Sequence, residues 1–165
     1  MKAFIDLFAK AYGLLVRGAG YLQHPLLLII RLYWGWETFD SGRSHLGNVP
    51  AMVERFKGWH IPFPEANVYL SGYTELLCGI LLLLGLASRI ITIPLICNFI
   101  VAYLTASHDT IQQSLGAIFS KPDDFTGDTS FLFLLASVLV FVFGPGMFSL
   151  DWVMGKIYRG KKKAE

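Results

Sequence analysis

The chain has 165 residues, and its composition is strongly apolar: 54% of the residues are hydrophobic and the mean hydropathy is +0.51. Only 16% are charged, against roughly 25% in ordinary soluble domains. This excludes a disordered chain and a disulfide-stabilised secreted fold, and it disfavours a soluble globular domain. The apolar composition makes the lipid bilayer the expected partner. The net charge of +2 is too small to attract nucleic acid strongly, so we expect no nucleic-acid partner.

The first twenty residues have the pattern of an amphipathic helix. Apolar residues recur at helical spacing, and Lys2, Asp6, Lys10 and Arg17 fall on the opposite face. The pattern predicts a helix that lies in the membrane interface; the alternative is a helix outside the membrane that packs on the rest of the chain. We expect no cleavable signal peptide, because this segment lacks an uninterrupted apolar core.

Four later stretches are almost free of charge and long enough to cross a bilayer, which takes about 20 helical residues. They cover residues 22–42, 66–86, 90–107 and 130–150. Their apolar runs are continuous rather than alternating, which argues against a membrane β-barrel. The sequence therefore predicts an all-α fold: a transmembrane four-helix bundle with an N-terminal interfacial helix, forming a single membrane domain over residues 1–165.

Two connections between the spans carry helix signals. In residues 43–65, Asn48 followed by Pro50 is a helix start, and residues 108–129 contain apolar residues at helical spacing. We predict short helices in both outer loops.

The distribution of Lys and Arg predicts the orientation of the bundle. Most basic residues flank one side of the predicted spans, and Arg31 lies inside the first span. The residues on that side are Lys2, Lys10, Arg17, Arg89, Lys156, Arg159, Lys161, Lys162 and Lys163. We therefore expect a multi-pass protein of the cell membrane, as in a bacterial inner membrane, with both termini in the cytoplasm.

Three polar residues fall near the middle of three predicted spans: Arg31, Glu75 and Asn98. Ionisable groups at this depth are costly and usually functional, and a hydrogen-bonded Arg–carboxylate pair costs far less than a lone charge. We predict that Arg31 pairs with Glu75 and that Asn98 shares their network. The network either binds a ligand or only fixes the helix register.

Further candidates surround this level. Glu37 lies about 9 Å beyond Arg31 along a helix, at a predicted depth similar to Tyr69 and Tyr103. A carboxyl group near phenols suits a polar head group or proton transfer, while the alternatives are interfacial exposure or a hydrogen bond to a tyrosine. Trp34, with its aromatic neighbours, either lines a pocket for a flat ligand or belongs to ordinary helix packing.

Metal and thiol chemistry have little support in the sequence. His24, His45, His60 and His108 show no ligand spacing on a shared helix. The two cysteines, Cys78 and Cys97, do not form a CxxC pair. We predict no metal site. No cofactor motif is evident in the sequence, and quinone is the one cofactor that we consider a candidate.

The fourth span breaks at Gly144, Pro145 and Gly146, where we expect the helix to kink or end. Asp151 then falls on the same side as Arg89. We predict a structural role for this region, in which these two residues latch the second, third and fourth spans together.

Three motifs resemble the DoxX family of small four-helix membrane proteins. They are RLYWGWETFDSGRSHL in span one, ELLCGILLLLGLASR in span two, and GPGMFSLD after span four. The resemblance covers about 130 residues. The positions that it matches are Arg31, Gly35, Phe39, Gly42, Glu75, Gly79, Gly85, Arg89, Gly144, Gly146 and Asp151. His45, Cys78 and Ser88 depart from the family pattern.

The resemblance implies a membrane protein without a single family-wide activity. Family members include subunits associated with quinone-linked oxidoreductases and partners of thiol-stress systems, and distant relatives resemble assembly chaperones. We therefore expect a redox-associated membrane subunit with a quinone or lipid-like ligand between helices, a redox partner protein, and in some arrangements a homo-oligomer. The alternatives are a non-enzymatic membrane scaffold or assembly factor, and an oligomeric transporter. Whether the protein is an enzyme stays open.

Overall fold

The computed structural model describes residues 2–106 and 126–162, and this part of the chain is all-helical. It contains six helices: α1 (Lys2–Gly47), α2 (Val49–Gly58), α3 (Pro64–Leu84), α4 (Ser88–Ala106), α5 (Thr129–Phe143) and α6 (Leu150–Lys161). The predicted helix within residues 108–129 falls almost wholly outside the described residues.

The bundle consists of α1, α3, α4 and α5, which run alternately up and down. Three of them, α1, α3 and α4, are long and apolar enough to cross a membrane, and α5 is apolar but has only 15 residues. The predicted all-α membrane bundle is therefore confirmed. We call the two ends of the bundle the α2 end and the α6 end, after the helix that lies at each.

Helix α1 differs most from its prediction. It is a single helix of 46 residues, about 69 Å long, with no break between the predicted interfacial helix and the first span. It passes through Pro25 and continues to Gly47 rather than ending at Gly42. From residue 4 to residue 22 almost every side chain is exposed, so the bundle begins only after this segment.

Glycines let α1 and α3 pack backbone against backbone in antiparallel directions. A Cβ atom added to Gly79 would lie 2.6 Å from the backbone nitrogen of Phe39, and one added to Gly42 would overlap the nitrogen of Leu76. A Cβ at Gly35 would meet Leu83 at 3.1 Å. Small residues permit such close approach between membrane helices.

The remaining core lies between α3, α4 and α5. Its buried members are Cys78, Leu82, Ile91, Leu95, Phe99 and Val140. At the α2 end, Met52 and Phe56 of α2 pack on Val68 of α3. The side chain of Asn48 caps α2 by accepting a hydrogen bond from the Ala51 amide, so the helix predicted to start there is confirmed.

The fourth span is interrupted where the sequence predicts. Helix α5 ends at Phe143, and Gly144 and Gly146 both have φ of 78°, a region that favours glycine. Helix α6 then begins at Leu150, with Ser149 as its N-cap. Residues 144–149 thus form a non-helical connection at the α6 end of the bundle.

Candidate functional site

Arg31 is 1% exposed and gives its hydrogen bonds to backbone carbonyl groups. Its guanidinium donates to Leu82 (3.1 Å) and Leu83 (3.3 Å) in the last turn of α3. It also donates to Phe148 (3.1 Å) and to Pro145 in the connection between α5 and α6. The last carbonyls of a helix lack intrahelical donors and carry partial negative charge. Arg31 therefore satisfies the end of α3 and ties the α5–α6 connection to it.

The predicted ion pair between Arg31 and Glu75 is wrong. In the observed register Gly35 lies beside Leu83 and Phe39 beside Gly79. Glu75 is therefore level with residue 43 of α1, about 18 Å along the axis from Arg31 at 1.5 Å per residue. The prediction failed because it placed both residues at mid-span, whereas α1 continues beyond its expected end.

Asp151 links the start of α6 to the connection between α3 and α4. Its two carboxylate oxygens accept hydrogen bonds from the backbone amides of Ala87 (2.7 Å) and Ser88 (2.8 Å). These amides open α4, where a helix favours negative charge. The Asp151 amide in turn donates to the carbonyl of Gly85, and its carboxylate interacts electrostatically with Arg31.

The side chain of Arg89 also lies at the α6 end, where it contacts a backbone carbonyl rather than Asp151. Its guanidinium donates to the carbonyl of Val142 at 3.3 Å. The predicted latch is therefore present in altered form: Asp151 holds the α3–α4 connection and Arg89 holds the end of α5. With Arg31 and Gly85, these residues form what we call the α6-end network.

Glu75 occupies a second and separate polar site. Its side chain is 4% exposed. One carboxylate oxygen, Oε1, accepts hydrogen bonds from the Asn98 amide (2.7 Å) and the Ser71 hydroxyl (3.0 Å). The predicted contact between Glu75 and Asn98 is confirmed. Ser71 comes from one turn earlier on α3, and Asn98 joins α4 to the site.

The other carboxylate oxygen of Glu75 faces His45. Oε2 lies 3.4 Å from Nδ1 of His45, but neither atom has a hydrogen-bond partner among the described residues. The His45 side chain is 19% exposed and packs edge-on against Phe56 of α2. We call Glu75, Ser71, Asn98 and His45 the Glu75 site.

An open groove of about 330 Å³ runs along the face of α3 opposite to Glu75. It is lined by Tyr69, Leu70, Tyr73, Thr74, Leu77, Cys78 and Pro94. The rings of Tyr69 and Tyr73 are stacked with their centroids 6.4 Å apart. At 100° per residue along α3, Glu75 points away from this groove. The groove and the Glu75 site are thus two distinct features of one helix.

The other candidate residues lie apart from one another. Trp34 is half-buried and contacts Phe133 of α5 edge-to-face. Glu37 is half-buried and lies level with Leu81 rather than with Tyr69, so it does not meet that phenol as predicted. Tyr103 is buried on α4, one turn beyond Asn98 towards the α2 end.

Comparison with known proteins identifies the family. The DoxX family model matches residues 26–108, just over half of the chain. This chain belongs to the DoxX family. The match covers Arg31, the Glu75 site and the whole groove. The predicted resemblance to DoxX proteins is therefore confirmed.

A curated relative agrees with this assignment. The chain is 30% identical over 142 residues to the "Uncharacterized membrane protein Rv3486" of Mycobacterium tuberculosis (strain ATCC 25618 / H37Rv). The alignment covers 80% of this chain and 83% of that protein. No solved structure matches this DoxX chain significantly.

Sequence reasoning missed His45 and the groove. A usable signal was present in the glycines, because Gly35 and Gly42 in α1 have the same spacing as Gly72 and Gly79 in α3. In the structure these glycines interleave in antiparallel order, with Gly42 against Leu76 and Gly79 against Phe39, and this register brings His45 within reach of Glu75. The groove had no comparable signal, since it depends on the angle between α3 and α4.

Proposed function

We propose that this DoxX-family membrane protein is a redox-associated subunit that binds a quinone or a similar lipid-like ligand between helices α3 and α4. The groove beside Tyr69 and Tyr73 is the observation that carries the proposal. Its volume of about 330 Å³ suits a small ring system, and four of its lining side chains are exposed on the apolar outer face of α3.

The groove residues fit the chemistry of a quinone. Tyr69 and Tyr73 offer aromatic faces for stacking and phenolic hydroxyls for a carbonyl oxygen. Leu70, Leu77 and Pro94 supply apolar surface that continues into the lipid, where an isoprenoid tail lies. A bound quinone accepts two electrons and two protons. The proposal assigns electron delivery to a partner protein.

Labelling with a photoreactive quinone analogue tests the proposal. In native membranes the label should enter α3 peptides that contain Tyr69 or Tyr73, and excess quinone should suppress it. Tyr73→Ala should reduce labelling by about fivefold, since loss of a stacked ring costs about 1 kcal/mol. Tyr33→Ala is the matched control, because Tyr33 is similarly exposed on α1 (58% against 54%) but lies outside the groove.

The outcome that contradicts the quinone proposal is labelling spread equally over the apolar helices and unaffected by Tyr73→Ala. That result would favour the second candidate, a non-enzymatic membrane scaffold or assembly factor. The α6-end network supports this second function, since its charged groups all serve to hold helices together. A stoichiometric partner that co-purifies equally with wild type and Tyr73→Ala would support the scaffold.

A further inference from the structure

The Glu75 site contains two buried polar atoms that face each other without a hydrogen bond. Oε2 of Glu75 and Nδ1 of His45 are 3.4 Å apart and have no hydrogen-bond partner among the described residues. A buried polar group without a partner costs about 1–3 kcal/mol, so two such atoms in contact require an explanation. A shared proton supplies one, because it makes either atom a donor to the other.

The two residues differ in their access to water. The Glu75 side chain is 4% exposed, whereas His45 is 19% exposed near the end of α1. Among the described residues of the site, His45 is therefore the titratable group that reaches the surface. An imidazole can accept a proton at one ring nitrogen and release a proton from the other.

We infer that His45 relays protons between the aqueous phase at the α2 end and the buried carboxylate of Glu75. The imidazole accepts a proton from water at one nitrogen and releases the proton of the other nitrogen to Oε2. Glu75 becomes neutral, and His45 returns to its neutral form as the other tautomer. A small side-chain rotation closes the 3.4 Å separation to hydrogen-bond distance. The relay does not depend on the quinone proposal.

Among the residues that the structure describes, few other titratable groups compete for this proton. On α1, Asp40 and Arg43 are exposed and pair with each other at 3.6 Å. On α4, Asn98 is neutral and Tyr103 lies one turn away. The charged residues of α2 are all exposed, and they are Glu54, Arg55 and Lys57. Within the described part of the chain, His45 is thus the titratable group in direct contact with the Glu75 carboxylate.

Infrared spectroscopy of the full chain in lipid nanodiscs tests the relay. Protonated Glu75 should give a carboxyl C=O stretching band that Glu75→Gln removes and Glu37→Gln leaves in place. On transfer to D₂O this band shifts as the carboxyl proton exchanges. In His45→Gln that exchange should slow by at least about tenfold, since a positioned acid–base group speeds proton transfer by two or more orders of magnitude.

His24→Gln is the matched control, because His24 is also half-buried on α1 but lies towards the α6 end. Its exchange rate should equal that of wild type. An unchanged exchange rate in His45→Gln would overturn the relay and leave Glu75 as a buried hydrogen-bond acceptor. Absence of the band at every pH at which wild type stays folded would also overturn it. If the Glu75→Gln variant does not fold, ¹³C-glutamate labelling of wild type must shift the band, and an unshifted band rejects the assignment.

Discussion

Four backbone carbonyl groups accept hydrogen bonds from the side chain of Arg31. A guanidinium has five N–H groups in a fixed planar arrangement, and an ammonium has three around one point. The choice of Arg at this position therefore follows from the number and spread of its acceptors. It does not require a carboxylate partner in the middle of the membrane.

Replacement of Arg31 by Met should lower the free energy of unfolding by at least about 3 kcal/mol, because several buried carbonyls lose their donor. Arg31→Lys should recover only part of this loss. The measurement is denaturant-induced unfolding in detergent micelles. A stability loss below about 1 kcal/mol in Arg31→Met would show that the carbonyls find other donors.

Double-mutant cycles distinguish the two polar sites. Arg31→Met combined with Glu75→Gln should be additive within about 0.5 kcal/mol, because the sites lie more than about 10 Å apart. Arg31→Met combined with Asp151→Asn should show a larger coupling energy, since the two charges interact. Coupling of Arg31 with Glu75 but not with Asp151 would contradict the observed register.

The hydrogen bond between Asn98 and Glu75 predicts a third stability effect. Glu75→Leu should destabilise the protein by about 1–3 kcal/mol, because the half-buried Asn98 amide then loses its acceptor. The double variant Glu75→Leu, Asn98→Leu should be more stable than Glu75→Leu alone, since both polar partners are then removed. A further loss in the double variant would indicate that Asn98 has another acceptor.

At the scale of helices, the contact between α1 and α3 is the most sensitive to sequence. Gly42→Ala should destabilise the bundle by about 2–3 kcal/mol or more, because the new Cβ atom would overlap the backbone of α3. Gly18→Ala is the matched control on the same helix, since nothing lies within 4 Å of its added Cβ. Thermal unfolding in micelles measures both, and equal melting temperatures would contradict the close packing.

The helices themselves were largely predictable, and their contacts were not. Apolar runs predict the ends of α3 and α4 to within about two residues. The sequence Gly144–Pro145–Gly146 predicts where α5 ends. Helix α1 exceeded its prediction because apolar length alone does not show where a polar helix continues beyond the hydrocarbon. The position of Glu75 was misjudged for the same reason, since an error in the end of α1 shifts the whole register with α3.

At the scale of the molecule, the orientation in the membrane remains a prediction from the basic residues. Reporter domains that are active only in the cytoplasm should be active when fused to either terminus. A fusion inserted after Gly58, at the end of α2, should be inactive. The reverse pattern would place the Glu75 site and its histidine at the cytoplasmic end of the bundle.

The division of the polar residues into two sites was not predicted from the sequence. Arg31, Glu75 and Asn98 all occur in apolar segments, and burial alone suggested one shared network. Only the packing of α1 on α3 shows that Arg31 belongs with Asp151 at one end and Glu75 with His45 near the other. The family assignment did not depend on this distinction, because the motifs are local in sequence.

At Gly42 and Gly79 the backbones of α1 and α3 are in direct contact, which hinders sliding of one helix past the other. We expect these two helices to move together. We then expect a change in the width of the tyrosine-lined groove to come from a tilt of α4. Pro94 lies within α4 and lines the groove, and because proline has no backbone N–H, the helix lacks one of its hydrogen bonds at this position. Such a tilt would act on the Glu75 carboxylate, because the Asn98 amide of α4 donates a hydrogen bond to it.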